Sequence, residues 1–370
     1  MISEDVRGAS SADRGVEAEP RSDGRVVLQN GAFREERIEI PILPWEEEFG
    51  WRMEEAFWAY FNRSEDPEGG NRRWIIERDI PWDQVTREAI PPDVALMIES
   101  FYAVESYLPD FAEQGLNHYR SMVGLTSSYI NWSYEELKHG RTLQLVLERS
   151  GARTRQEMRQ LRIDLARRQW TLPYPSAREM LIYAAFQEKE TNRNYEHLRD
   201  VLAGEGALGA AHALRTIGRD EAFHHAYYKD IVKILLEYDE VGTAQDILMV
   251  AKTFRMPAQH LMPNMEERVR VMVRNKVFGK RQVRDEAIIP TIKAFGFRDP
   301  EELESVATAR PMPTNGHATR LQRSEVDRPI ELGSASEGDS PNEGELPGEG
   351  DLSGGETSQG EPAGPEPARR

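Results

Sequence analysis

Twice in this chain a long helix-favouring segment bearing one glutamate is followed by another that carries Glu-x-x-His. The two pairs are Glu136-Leu137-Lys138-His139 and Glu221-Ala222-Phe223-His224. Residues three apart share one face of a helix, so each pair presents a carboxylate and an imidazole to a single ion. Glu105 precedes Glu136 by 31 residues, and Glu188 precedes Glu221 by 33. One such pair alone would mean little, because Glu and His are common on solvated faces. The repetition is what constrains the fold: six side chains meet only if four long helices lie side by side. Glu135, next to Glu136, projects about 100° away on a helix and is expected in solvent. The same reasoning places His225 behind the site or at the surface. His118, His197, His212, His260 and His317 show no ligand spacing and are given no role.

The rest of the pattern agrees with helices. Apolar residues recur at helical spacing over 94–123, and 126–149, 176–202 and 208–238 are equally long and helix-favouring. Shorter helices are expected at 154–169, 241–254, 264–277 and 284–295. Pro91-Pro92, Pro173-Tyr174-Pro175 and Gly204-Glu205-Gly206 punctuate them. With no alternating strand pattern, the expectation is an all-α protein. The repeated Glu and Glu-x-x-His half-unit is the arrangement of ferritin-like carboxylate-bridged sites, so the expected fold is a ferritin-like four-helix bundle with additional flanking helices. The metal ligands are then Glu105, Glu136, His139, Glu188, Glu221 and His224, with Glu136 and Glu221 bridging and Glu105 and Glu188 terminal. Oxygen and nitrogen donors suit two Fe ions, with Mn as a substitute, and suit Cu(I) poorly.

Composition removes other chemistries. The chain has no cysteine, which excludes disulfides, iron–sulfur clusters and thiolate catalysis. A net charge of −17 argues against nucleic acid as a partner. No apolar run approaches the roughly 20 residues of a transmembrane helix. The N-terminal stretch lacks an apolar signal region and carries Glu4, Asp5, Asp13, Glu17 and Glu19, which points to the cytoplasm. The expected domains are a disordered extension at 1–38, a helical domain at 39–307 and a disordered acidic tail at 308–370. Between Glu331 and Pro367 there are ten acids and no Lys or Arg, too little apolar surface to offset chain entropy.

At these residues the chain resembles the soluble acyl-ACP (acyl carrier protein) desaturases. Glu105-Ser106-Tyr107-Leu108-Pro109 looks like the family's Glu-Glu-Ala-Leu-Pro, and Trp132 through Gly140 is similar to its Trp-x-x-Glu-Glu-x-x-His-Gly. Phe186-Gln187-Glu188 with Thr191 matches Phe-Gln-Glu-x-x-Thr. Asp220-Glu221-Ala222-Phe223-His224 parallels Asp-Glu-x-x-His, and Met256 through Met262 resembles Met-Pro-Ala-His-Leu-Met with one residue inserted. The resemblance implies an O2-dependent desaturase with a di-iron centre, a ferredoxin-like electron donor, an acyl carrier protein bearing a fatty-acyl chain, and a homodimer. It implies that Thr191 delivers protons near bound oxygen, and that Asp220 and Trp74 lead electrons to the irons. On the residues alone, Thr191 reads equally as a helix threonine bonded to its own backbone, and Trp74 as a core indole. Pro109 predicts a helix distortion beside Glu105. The chain departs from the family at Gln114, Asn117 and His118, where the acyl channel ends, and these polar groups either shorten the channel or face elsewhere. Ser106 replaces a family glutamate without evident consequence. Because the carrier is acidic, its docking site should be basic, with Arg72, Arg73 and Lys280-Arg281 as candidates. A hydroxylase or N-oxygenase of the same superfamily, or an acyl-carrier-binding protein without turnover, are the alternatives.

Overall fold

Local sequence chemistry starts the helices. Ser176 and Glu179 form a reciprocal capping box, with Ser176 Oγ accepting from Glu179 N and the Glu179 carboxylate accepting from Ser176 N. Thr154 and Glu157 do the same one helix earlier. Pro92 stands in the first turn of its helix, where no intrahelical N–H is needed. The structure, a computed structural model, describes residues 46–66 and 73–309. The extension at 1–38, nearly all of the acidic tail, Arg72 and His317 lie outside the described residues. All of the described residues belong to one compact unit.

The helices that matter here are α1 (Glu46–Glu65), α2 (Pro92–Glu105), α3 (Leu108–Tyr119), α4 (Val123–Arg149), α5 (Arg155–Leu165), α6 (Ala177–Gly204), α7 (Leu208–Tyr238), α8 (Glu240–Thr253), α9 (Met265–Arg274), α10 (Ile289–Phe295) and α11 (Pro300–Thr308). Among the described residues there is no strand. The segment read as one helix over 94–123 is two. Pro109 has no N–H for the carbonyl of Glu105, and the chain tightens through Tyr107 N→Val104 O before α3 begins. Glu105 is therefore the last residue of α2. The expected helix at 284–295 begins as a π-helical stretch, Val283–Ile288, just before Pro290, which has no N–H for the carbonyl of Glu286. Helices α1 and α11 belong to the region expected to be helical but were given no bounds of their own.

Helices α2, α4, α6 and α7 close a ring, each packing against its neighbours on both sides. The fold is the expected ferritin-like four-helix bundle with flanking helices. Helix α1 lies against α4 and α7, α3 against α4, and α8 against α6, α7 and α11. Two apolar clusters fill the bundle. One holds Leu125, Tyr129, Phe186, Tyr228 and Ile231, the other Leu143, Leu147, Leu198, Leu214 and Ile217. Along α4, α6 and α7 the Glu and His positions fall between these clusters. Each fully buried Leu, Ile or Phe contributes about 1.5–3 kcal/mol, and the two clusters together offset the cost of sealing charged groups between them. Gly140 lets α2 come close, since a Cβ there would stand 3.0 Å from Glu105 Cβ. Among the described residues no helix is long and apolar enough to cross a membrane.

Candidate metal centre

The six predicted residues converge in the middle of the bundle. One set able to hold an ion is Glu105, Glu136, His139 and Glu221, and the other is Glu136, Glu188, Glu221 and His224. In each set, ligand atoms lie within 4.8 Å of one another. Glu136 and Glu221 are common to both, the two positions expected to bridge. His139 Nδ1 is 3.2 Å from both Glu136 Oε2 and Glu221 Oε1. His224 Nδ1 is 3.2 Å from Glu136 Oε1 and from Glu188 Oε2. His139, Glu221, Glu188 and His224 are 0–2% exposed, and Glu136 is 5%.

Each imidazole turns its other nitrogen to an acid. His139 Nε2 lies 3.1 Å from Asp220 Oδ2, which accepts a 2.6 Å bond from Trp74 Nε1. The Trp74 ring is parallel to that of His139, and Lys138 Nζ sits 4.1 Å over its face. His224 Nε2 lies 2.8 Å from Glu135 Oε2. Glu135 also accepts from Tyr60 OH at 2.8 Å and Arg73 Nη1 at 2.5 Å. The expectation that Glu135 is solvated is wrong: it is 4% exposed. The 100° turn does point it away from the converging carboxylates, but α1 covers that face of α4 and supplies Tyr60. A signal was present, because an acid precedes the glutamate of both Glu-x-x-His pairs. The two acids cross over, each supporting the histidine of the other helix. Such outer partners fix ring orientation at metal-binding histidines.

The terminal glutamates also take aromatic donors. Trp132 Nε1 donates to Glu188 Oε1 at 3.0 Å, and Tyr195 OH to Glu105 Oε1 at 2.7 Å. On the sequence alone Trp132 stands only as the first residue of a family signature, with no role assigned, and Tyr195 is not singled out. His225 stays outside the centre, bonded through Nδ1 to the carbonyl of Ala185, and burial pushes its imidazole down to about 4. His197 pairs with Glu286.

Opposing forces set the charges. Burial, reinforced by the charge of Glu136, raises Glu105 well above the usual carboxylate range; burial and Glu221 raise Glu188 in the same way. For Glu136, burial pushes upward, but His139 and His224 outweigh it and hold the group low. Burial lowers both histidines and the surrounding acids, with Tyr60 at His224, more than reverse this, so each is raised well above its ordinary value. Without metal, protons on the imidazoles balance part of the carboxylate charge. Glu136 Oε1 and Glu221 Oε1 are nevertheless buried, each with an imidazole Nδ1 3.2 Å away as an ion-pair partner and no hydrogen bond. Buried carboxylate oxygens of this kind are expensive unless a cation engages them, so the donor set fits two divalent ions.

A cavity opens beside the centre, bordered by Glu105, Glu136 and Glu221, by the apolar Phe101, Val104, Phe111, Trp132, Met256, Met262, Met272 and Phe278, and by the polar Ser100, Gln187, Asn194 and Gln259. Thr191, 8% exposed, lines it as well. Gln114, Asn117 and His118 do not. Gln114 instead donates to Trp170 O and accepts from Leu172 N, tying down the loop after α5. Of the two readings, facing elsewhere is the one observed for Gln114 and for the exposed Asn117, while His118 keeps a buried Nε2 without a hydrogen bond. The wall of the cavity there is Phe111, edge-on to Trp170. Arg73 is withdrawn as a docking residue, since its guanidinium is engaged by Glu65, Glu135 and Asn131.

A four-helix bundle that buries two Glu-x-x-His pairs and two further glutamates at its centre defines a ferritin-like carboxylate–histidine protein. A family model described as fatty acid desaturase matches residues 90–324, and the chain belongs to that family. It is 32% identical over 143 residues to a seed-specific chloroplastic stearoyl-[acyl-carrier-protein] 9-desaturase of Brassica napus. That match takes in 35% of this chain and spans only a third of the relative's length, 33%. The fold is similar to that of DesA2 from Mycobacterium tuberculosis H37Rv, assigned as an acyl-ACP desaturase. The TM-score is 0.54 at 18% identity, covering 70% of this chain and 99% of that one.

Proposed function

We propose that this protein is an O2-dependent desaturase of a fatty-acyl chain carried on acyl carrier protein, with two Fe ions held by Glu105, Glu136, His139, Glu188, Glu221 and His224. The observation that carries this reading is that three of those glutamates form part of the wall of an otherwise largely apolar cavity. An acyl chain lying there has its methylenes against the centre. When bound, the irons supply the oxygen reduction needed to remove hydrogen from an unactivated methylene. The balance is one –CH2–CH2– unit, O2, two electrons and two protons giving one –CH=CH– unit and two waters.

This chain's own residues do the remaining work. Phe101, Val104 and Phe111 exclude water and align the chain. The Thr191 hydroxyl, in the cavity wall, passes a proton toward the reacting oxygen. The connected Trp74, Asp220 and His139 carry electrons inward from a ferredoxin-like donor. Docking of an acidic carrier draws on the exposed Arg270, Lys276, Lys280 and Arg281 of the stretch 268–284, which holds no acid of its own in a chain of net charge −17. Arg268, Arg274 and Arg284 there are spent on Glu99, Asp93 and Asp285. Met272 and Phe278 of that stretch line the cavity, and Lys280 and Arg281 are exposed beside it. A homodimer in the cytoplasm completes the proposal.

The test is metal analysis of protein made with iron supplementation, followed by turnover with reduced ferredoxin and a panel of acyl carriers. About two irons per chain and an unsaturated product support the reading. A hydroxylated product makes the protein a hydroxylase. Normal iron with no product on any carrier overturns the enzymatic assignment.

A further inference from the structure

We infer that Tyr195 is the positioning residue for Glu105, its phenol holding that carboxylate in the orientation a metal ion needs. The inference rests on the di-metal reading above. Among the four glutamates Glu105 has the weakest local support. It ends α2 where the chain leaves the helix, whereas Glu136, Glu188 and Glu221 lie well inside α4, α6 and α7. Its carboxylate is buried, yet the residue as a whole keeps some exposure, while the other three are at most 5% exposed. It also borders the cavity, into which an unrestrained carboxylate can swing.

Tyr195 opposes that swing from a fixed place. It lies on α6 one turn beyond Thr191, is 0% exposed, and also lines the cavity. Its ring packs against Phe101 of α2 at 5.1 Å between centroids. On its other side α7 approaches at Gly218, where a Cβ would stand 3.3 Å from Tyr195 Cβ. The hydroxyl then reaches Glu105 Oε1 at 2.7 Å. A neutral donor on a buried ring packed against α2, on a side chain whose Cβ abuts α7, leaves the second carboxylate oxygen for the centre. Trp132 serves Glu188 likewise, so each terminal glutamate has its own aromatic donor.

Tyr195→Phe keeps the ring and removes only the donor. The experiment is titration of metal-free wild type, Tyr195→Phe and Trp132→Phe with Co(II), followed by visible absorption, with thermal unfolding of the metal-free proteins alongside. The expected result is a 10–100-fold weaker binding of one of the two Co(II) ions in Tyr195→Phe, the usual scale for losing an outer partner of a ligand. The other ion binds as in wild type, metal-free stability is nearly unchanged, and Trp132→Phe weakens the opposite ion. A wild-type isotherm for Tyr195→Phe overturns the inference alone. Equal weakening of both ions together with lost metal-free stability overturns it too, in favour of plain packing. Wild type that binds no Co(II) overturns the di-metal reading and this inference with it.

Discussion

Removing Glu135 tests whether the outer hydrogen bonds hold the centre together. In Glu135→Ala three donors lose one acceptor: His224 Nε2, Tyr60 OH and Arg73 Nη1. His224 is 2% and Tyr60 9% exposed, so water replaces little there, while the Arg73 side chain is 20% exposed and recovers part of its solvation. Breaking a buried charge pair on one side costs about 3–5 kcal/mol, and the three bonds share that cost rather than adding to it. For a domain of this size each kcal/mol shifts the midpoint by about 2–4 °C, giving a fall of roughly 6–20 °C in the metal-free protein. Metal affinity should drop about 10–100-fold as the His224 ring loses its anchor. Glu135→Gln, which keeps an acceptor for Tyr60, should fall between alanine and wild type. The assay is thermal unfolding by circular dichroism with metal content per chain. An alanine variant within about 2 °C of wild type and fully loaded with metal would refute the reasoning.

Two further outcomes follow from the same contacts. Glu105 and Glu188 are raised by burial and by Glu136 and Glu221 respectively, Glu190 is raised by burial to about 8 and Asp246 to about 6, and His139 and His224 are raised by their acids. Groups raised in the folded state stabilise it below their unfolded values and lose that contribution as pH rises through the folded ones. Glu135, Glu136 and Asp220 are depressed, so their contribution is lost on the acid side. Metal-free protein should therefore be most stable near about pH 5 and weaken steadily toward about pH 8, with metal flattening the decline; a midpoint that rises toward pH 8 contradicts this. In Gly115→Ala the new Cβ would lie 2.2 Å from the Tyr129 ring, which is pinned by its bond to Phe111 O and its stacking on Trp132. Urea unfolding should show a loss of about 1–3 kcal/mol, and an unchanged midpoint would mean that Tyr129 moves freely.

The sequence by itself determined the class of fold and the inner ring of the centre. Ligand spacing depends only on helical repeat, and a 3.6-residue period places Glu136 with His139 and Glu221 with His224 whatever surrounds them. The break at Pro109 was legible for the same local reason, a missing N–H, although its consequence was larger than expected because it divides α2 from α3. Tertiary structure decided everything that depends on which helix covers which face. Glu135 looks solvated from its angle on α4 and is buried because α1, distant in sequence, brings Tyr60 over it. Gln114 looks like a channel residue and instead binds a loop some 56 residues away. Arg73 looks like a docking cation and is spent on Glu135. Tyr195 gave no signal, since a tyrosine two turns beyond Glu188 matters only when another helix ends within reach of its hydroxyl. Periodicity reports the direction of a side chain on its own helix, while its partner is set by long-range packing that no local pattern encodes.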